Sequence, residues 1–323
     1  MSGKPKINVL VPLEDDLMAK LTAACEVRLV DIAAPRAELL TAMRDVQGVL
    51  LNPRVRADAE FFDAAPNLRV LSTTSVGYDP FDIPEATKHG VVVCHTPGVL
   101  TNAVANLTMG FVFTLALRLF PNEAYVRSGG WARREAAPPL GLEIQGKTFG
   151  VIGFGRIGQE VTRRMQALGL RTIWYDVFDT PHPSAPKSEY RPLDQLLAES
   201  DFVSLHTNLD SGSRHLIGAA ELAKMKPTAY LINVTRGGII DEPALVEALK
   251  AGQIAGAGLD VTEKEPLSPD SSLWEAPNLI LTPHRAGASQ HRPRMIFEFF
   301  LKNLERYLTG ETPVALINKR RGF

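Results

Sequence analysis

Two doubly wound α/β domains, each built on a parallel sheet, are the fold this sequence predicts, and three observations predict it. The first is size: 323 residues, 45% hydrophobic and 22% charged, are many for one core and suit two globular domains. The second is an alternation of strand-like and helix-like segments through the first hundred residues. The third is another such alternation, opening at Lys147 with a glycine-rich turn. Alternation of this kind implies parallel strands joined by crossover helices on both faces of a sheet.

In the first series, apolar runs at 7–13, 27–31, 48–52, 69–75 and 91–96 read as strands. The stretches 15–24, 36–43, 58–65 and 83–89 between them read as helices. Thr101, a fair N-cap, opens a helix predicted to run to about residue 120. Its length of about 30 Å suits an element crossing between domains. A shorter helix, Ser128-Gly-Gly-Trp131 and a loop containing Pro138 and Pro139 follow. The second series has strands at 147–152, 171–176, 201–206, 229–234, 254–261 and 279–284. After the fourth comes a well-marked helix, with Asp241 placed to cap it and Gly252 just past its end. A last amphipathic helix, about 294–308, carries Phe300, Leu304 and Leu308 on one face and stops at Gly310.

The turn that opens the second series is Gly153-Phe-Gly-Arg-Ile-Gly158. A short apolar strand precedes it, and Ile157, Val161, Met165 and Leu168 recur after it at helical spacing. Strand, glycine turn and helix together make G-x-G-x-x-G a dinucleotide fingerprint, and the domain Rossmann-like. Gly153 permits the tight turn, Gly155 lets a pyrophosphate approach the backbone, and Gly158 lets helix and strand pack closely. Free N–H groups at the helix start, including those of Arg156 and Ile157, then face the phosphates. Asp176 ends the next strand 23 residues after Gly153, where an acid holds the adenine ribose hydroxyls. The predicted cofactor is therefore NAD.

Composition excludes other classes. A formal net charge of −1 gives no electrostatic grip on nucleic acid or an anionic membrane, so neither is an expected partner. Lys319-Arg320-Arg321, the one basic cluster, reads as a solvated tail. Residues 1–10 lack the apolar region and cleavage site of a secretory signal, and 103–117 is too short to span a bilayer. Cys25 and Cys94 form no C-x-x-C pair and no metal-ligand spacing; buried reduced thiols, a cytoplasmic location and no bound metal are expected.

Ligands of open α/β sheets bind beyond the carboxyl ends of the strands. Read there, the second series presents Arg236 after the fourth strand, Glu263 and Glu265 after the fifth and His284 after the sixth. An arginine, a carboxylate and a histidine at one sheet edge beside a nicotinamide suit hydride and proton transfer at a carbonyl. Asn233-Val-Thr-Arg-Gly-Gly-Ile-Ile-Asp241, Ala257-Gly-Leu-Asp-Val-Thr-Glu-Lys-Glu-Pro-Leu267 and Leu281-Thr-Pro-His284 resemble signatures of the NAD-dependent D-2-hydroxyacid dehydrogenases. So do Ser75-Val-Gly-Tyr-Asp79 and Thr96-Pro-Gly-Val-Leu-Thr101, and the match runs in order over nearly the whole chain. Within that family, Ser72-Thr-Thr-Ser-Val-Gly77 and Leu259-Asp-Val-Thr262 look most like glyoxylate/hydroxypyruvate reductases.

The resemblance implies reduction of a small 2-oxo acid by NADH to the D-2-hydroxy acid, and the reverse oxidation. It implies a triad of Arg236, Glu265 and His284. Arg236 grips the substrate carboxylate as a fork. His284 gives its proton to the carbonyl oxygen, and Glu265, preferred because it stands immediately before the proline, stabilises the imidazolium. His206 and Thr207 match the adenine-side turn; Val234, Thr235 and Arg236 border the nicotinamide ribose; Asp260 matches the carboxamide ligand; His284 and Gly287 complete the cofactor set. Leu51, Val76 and Gly77 match the substrate-carboxylate loop, with Arg236 and His284. A substrate-binding domain of 1–100 plus 288–323, an NAD-binding domain of 101–287 and a cleft between them are implied. So is a homodimer joined through about 100–141, with Arg134 placed to reach the partner's site.

Three positions depart from the family pattern. Asn106 replaces a common acid, Arg285 follows the histidine where an aliphatic residue is usual, and Ser72-Thr-Thr lacks the arginine of phosphate-bearing substrates. The alternative from another class is a non-enzymatic NAD(H)-sensing protein of the corepressor type. A third reading is an oxidoreductase for substrates other than 2-oxo acids.

Overall fold

The structure, a computed structural model, describes residues 4–177, 185–314, 316 and 317. The basic cluster 319–321 and the side chain of Leu308 lie outside the described residues. The chain divides into two compact units, Met1–Leu100 with Ser289–Phe323, and Thr101–Ala288.

In the first unit, β1 (Lys6–Val9), β2 (Glu26–Leu29), β3 (Gly48–Leu51), β4 (Val70–Thr73) and β5 (Val92–Cys94) form one sheet. Every pairing is parallel, in the order β2-β1-β3-β4-β5. That is the flavodoxin-like order. β3 and β4 are buried at every position, as a strand covered on both faces must be. The helices are α1 (Asp15–Ala24), α2 (Arg36–Ala42), α3 (Ala59–Asp63) and α4 (Ile83–Lys88). Asp58 and Asp82 cap α3 and α4 by accepting the N–H groups of Phe61 and Glu85. One face of the sheet packs Phe61 and Phe62; the other packs Leu17 and Leu21 with Phe297, Phe300 and Leu304. Those last three lie on α12 (Arg292–Leu308), so the C-terminal helix completes the N-terminal core. It begins two residues earlier than the pattern predicts, because Pro293 sits in its first turn, where no N–H is needed.

The second unit opens with α5 (Thr101–Ala116), α6 (Leu119–Arg127) and α7 (Gly130–Arg133). The single helix expected from Thr101 to about residue 120 is thus corrected. Arg118 adopts φ 53°, a left-handed conformation that no α-helix continues through. α5 is therefore about 24 Å long and lies wholly in the second unit. It packs on α8 (Arg156–Ala167), where Arg164 binds the amide oxygens of Asn102 and Asn106 and the carboxylate of Glu160. Asn106 so serves as an acceptor without a charge. Among the described residues no single helix is long and apolar enough to cross a membrane; α5 and α6 together reach that length but bend by 59°.

The sheet of this unit comprises β6 (Thr148–Ile152), β7 (Arg171–Tyr175), β8 (Glu189–Tyr190), β9 (Phe202–Leu205), β10 (Tyr230–Asn233), β11 (Gly256–Leu259) and β12 (Leu279–Leu281). It is parallel throughout, in the order β12-β11-β10-β9-β6-β7-β8. β6 pairs with both β7 and β9, so the strand order reverses there. That reversal is the switch point where doubly wound sheets bind ligands. β8 escapes a sequence reading because it has two exposed residues and no period to detect. α9 (Leu193–Glu199) and α11 (Glu242–Lys250) cover the sheet; Asp241 caps α11 through the Ala244 N–H, and Gly252 ends it at φ 65°. Between them, α10 (Ala219–Leu222) is a single turn.

The end of α9 packs closely on the sheet where β6 has no side chain. A Cβ on Gly150 would sit 2.2 Å from Ser200 Oγ and 2.8 Å from Leu196 Cδ2. Gly150→Ala should therefore lower stability by about 1–3 kcal/mol through overpacking. A thermal melt with an unchanged Tm would contradict this account of the β6–α9 contact.

Candidate active site

The fingerprint turn shows three glycines with three physical jobs. Gly153 has φ 94°, and a Cβ there would lie 2.5 Å from His206 C and Thr207 N, so the turn presses against the end of β9. A Cβ on Gly158 would lie 2.2 Å from the Gly153 carbonyl oxygen. Gly155, in contrast, has no atom within 4 Å of its Cβ position. The first N–H bonded within α8 is that of Gln159, to the Gly155 carbonyl. The amides of Arg156, Ile157 and Gly158 precede it, as the orphan donors of a helix start do. An open glycine before a row of amide donors fits a pyrophosphate. Asp176 follows β7 and accepts the Phe154 N–H at 2.7 Å, bracing the turn from its other side. Arg191, the next arginine in sequence, is held by Glu189 (2.5 Å) and Glu199 (2.9 Å). His206 follows β9 and meets Ser204 Oγ through Nε2 at 2.9 Å. Burial pushes its imidazole down to about 3, which makes it a neutral structural ring.

Arg236 lies on the turn after β10. The fully buried Asn233 shapes that turn: its Oδ1 accepts from the Thr235 N–H and hydroxyl, and its Nδ2 donates to the Arg236 carbonyl at 2.8 Å. Val234 is buried beside it, and Arg236 Nη1 donates to the Thr235 carbonyl at 2.8 Å. Gly237 then allows contact with the next loop, since a Cβ there would lie 1.9 Å from Thr262 C.

That next loop follows β11 and carries Glu265. Glu265 Oε2 lies 2.6 Å from His284 Nδ1, and Thr262 donates its N–H to Glu265 Oε1 at 3.2 Å. Burial works against the Glu265 carboxylate. The hydrogen bond and charge of His284, the Thr262 N–H and the Arg236 charge nonetheless hold it below the ordinary carboxylate range. Glu263, two residues away, turns elsewhere and meets Arg214 at 2.7 Å and His215 at 2.9 Å. Because Nδ1 faces a carboxylate it carries a proton, which leaves Nε2 as the ring atom not engaged by Glu265. Side-chain exposures of 48% for His284 and 37% for Glu265 keep the pair open to a ligand.

His284 adopts φ 53°, a conformation that costs a non-glycine residue about 1–3 kcal/mol. Asp260 holds it there. The Asp260 carbonyl accepts the His284 N–H at 2.7 Å. Its carboxylate, 1% exposed with its residue, accepts from Thr282 Oγ1 (2.6 Å) and from the N–H groups of Arg285 (2.8 Å) and Ala286 (2.6 Å). Hydrogen bonds to a charged group contribute about 1.5–3 kcal/mol each, so three outweigh the strain. Positioning of the His284 loop is thus the first role the structure gives Asp260. Gly287 closes the same loop, half-buried.

In the first unit, Leu51 is fully buried in the core, so its side chain shapes the loops above it from beneath. Val76 and Gly77 are half-buried on the loop after β4, and His95 Nδ1 donates to the Val76 carbonyl at 2.9 Å. Sequence reasoning missed the residues that position others: Asn233, Gly237, Thr282 and His95. Buried hydrogen bonding across 20 residues leaves no periodic trace; only the polar types inside apolar runs hinted at them. Among the described residues no group of three His, Cys, Asp or Glu side chains could hold a metal ion.

Comparison with known proteins agrees with this geometry. Residues 109–286 match the family model for the D-isomer specific 2-hydroxyacid dehydrogenase, NAD binding domain. The chain is 42% identical to a glyoxylate reductase of Thermofilum pendens, over 98% of this chain and 95% of that one. Its fold is similar to the TT0316 protein of Thermus thermophilus (TM-score 0.87, 38% identity, 97% and 99% of the two chains). It is also similar to an NADPH-dependent glyoxylate/hydroxypyruvate reductase of Sinorhizobium meliloti, solved with NADP and malonate (TM-score 0.85, 33% identity, 98% and 97%). The chain belongs to the D-isomer specific 2-hydroxyacid dehydrogenases and is an NAD(P)-dependent oxidoreductase.

Proposed function

We propose that this protein reduces a glyoxylate-type 2-oxo acid with NADH to the D-2-hydroxy acid and catalyses the reverse oxidation. The observation that carries the proposal is the 2.6 Å contact of Glu265 with His284 Nδ1, with the Arg236 charge close enough to act on the same carboxylate. The reduced nicotinamide supplies the hydride. Arg236 binds the substrate carboxylate as a fork and polarises the neighbouring carbonyl. His284 donates a proton from Nε2 to the carbonyl oxygen while Glu265 balances the imidazolium charge; in oxidation the neutral ring takes the proton back. Val76 and Gly77, with Leu51 beneath them, are assigned the substrate carboxylate on the first unit, 1–100 with 289–323. Gly153, Gly155, Arg156, Ile157 and Gly158 are assigned the pyrophosphate, and His206, Thr207, Val234, Thr235, Asp260 and Gly287 the remaining cofactor contacts.

Support for NADH over NADPH comes from the end of β7. Asp176 would face a 2′-phosphate with its own charge, and Arg191 is already occupied by Glu189 and Glu199. A like charge about 4 Å away opposes binding by about 1–4 kcal/mol, so kcat/KM should favour NADH by roughly fivefold or more. Equal efficiencies with the two cofactors would overturn the assignment of Asp176, and this chain would then follow its NADPH-dependent relative.

A homodimer formed through residues 100–141 is the proposed assembly. Leu117, Leu119, Phe120, Val126, Trp131 and Leu140 are all exposed there, Leu140 at 95%, which supplies apolar side chains for a partner to cover. A cytoplasmic location is proposed with it. Arg134, exposed at the end of α7, is placed on this segment to meet the distal group of a substrate in the partner's site. Arg134→Ala should then raise KM for hydroxypyruvate more than for glyoxylate, which has no distal group. Equal effects on both, or a monomer by light scattering, would defeat that reading.

The triad has a sharper test. Replacing His284 with Ala should lower turnover by about 10²–10⁴-fold, the range for a lost general acid, while NADH still binds. Glu265→Gln should retain activity but move the pH profile of reduction toward acid, because the imidazolium loses its balancing charge. An unmoved profile in Glu265→Gln, with a shift in Glu263→Gln, would transfer the role to Glu263.

A further inference from the structure

Glu242 is the first residue of α11, and its carboxylate serves something other than that helix. Asp241 already caps α11 through the Ala244 N–H. Glu242 instead reaches across to the Glu265 loop, where Oε1 accepts the backbone N–H of Glu263 at 2.5 Å. The side chain is half-buried, so the carboxylate is partly withdrawn from water where it makes this contact. An acid placed only to complement a helix dipole would stay in solvent.

The contact lies at the middle of a braced loop. On one side, the Gly237 backbone abuts Thr262 and Glu263. On the other, Glu263 Oε1 accepts from Arg214 and His215, which fixes the direction of that side chain. Thr262 closes the loop on itself, its N–H donating to Glu265 Oε1 and its hydroxyl to the Lys264 carbonyl at 2.9 Å. Three carboxylates thus share a small space. Glu265 faces His284 and Arg236, Glu263 faces Arg214 and His215, and Glu242 faces the Glu263 amide. Burial first, and then the charges of Glu263 and Glu265, push the Glu242 carboxyl above the ordinary carboxylate range, against the pull of the Glu263 N–H. Such an arrangement costs stability wherever it is not needed.

We propose that Glu242 is a positioning residue of the proton-transfer pair: by holding the Glu263 amide it sets the register of the loop that brings Glu265 to His284 Nδ1. The proposal rests on the reading of His284 and Glu265 as that pair. The geometry is unforgiving, because Glu265 is two residues past the anchored amide and must reach Nδ1 at 2.6 Å. A loop displaced by about 1 Å can lower a rate by as much as 10²-fold. Glu242 acts through the backbone of Glu263.

The test compares two substitutions in the full-length enzyme. Glu242→Met fills the volume but offers no acceptor, whereas Glu242→Gln keeps an amide oxygen for the Glu263 N–H. Steady-state reduction of glyoxylate by NADH is followed across the pH range, with NADH binding measured by fluorescence. Glu242→Met should lower kcat about tenfold and move the pH profile toward acid, because Glu265 no longer balances the imidazolium, with the Kd for NADH unchanged. Glu242→Gln should recover most of kcat and show the smaller shift. An unmoved kcat and profile in Glu242→Met, or equal damage in both variants, would overturn the proposal. Glu265→Gln, run in parallel, separates the two levels. If it leaves the profile unmoved, the reading of the pair itself fails; if it shifts while Glu242→Met does not, only the role of Glu242 fails.

Discussion

A buried carboxylate holds the active edge of this protein together. Asp260 follows β11 almost without solvent contact, and its oxygens accept from Thr282, Arg285 and Ala286, which flank His284. Its own carbonyl takes the His284 amide. A charge in that position is tolerable only because each donor is fixed in place. The donors in turn depend on the charge, since the left-handed backbone of His284 would relax without it. Strain at His284 and burial at Asp260, which holds it, are one interaction seen from two ends.

Sheet topology explains why residues so far apart in sequence are available to that interaction. β10, β11 and β12 are consecutive parallel neighbours, so their carboxyl ends lie side by side at strand spacing of about 4.8 Å. Each strand ends in a turn with a different chemical residue: Arg236, the Glu265 loop, His284. The dinucleotide fingerprint belongs to β6, on the far side of β9, where the order reverses and the turn at Gly153 meets His206. One sheet edge therefore carries the open glycine turn and the Glu265–His284 pair without either intruding on the other.

Around the pair, three carboxylates lie close together, and each has partners of its own. Glu265 has His284 and the Arg236 charge, Glu263 has Arg214 and His215, and Glu242 has a backbone amide. Like charges in close quarters push one another's protonation upward, so the separation of partners decides which acid stays ionised beside the histidine. Glu265 is held low and Glu242 high, and that division matches one group working with His284 and another working on the loop.

By itself the sequence determined the parts that repeat or stand at fixed offsets. The strand–helix alternation, the Gly153–Gly158 turn with Asp176 behind it, the cap at Asp241 and the residues at the strand ends were all legible, because period and local turn chemistry are properties of neighbouring residues. It also carried the family, whose motifs are contiguous. Other features depended on contacts across the chain. The helix from Thr101 broke at Arg118, where the nearest signal in the sequence is Pro121, three residues on, and the two-residue β8 was too short to have a period. The choice of Glu265 over Glu263 beside His284 rested in the sequence on one neighbouring proline; in the structure it follows from Arg214 and His215 drawing Glu263 away. Asp260 was legible only as a cofactor-site residue, and Asn233 and Glu242 had no role of their own along the chain, because burial and hydrogen bonding to residues a loop or a strand away give all three their positioning roles, and only folding creates that environment.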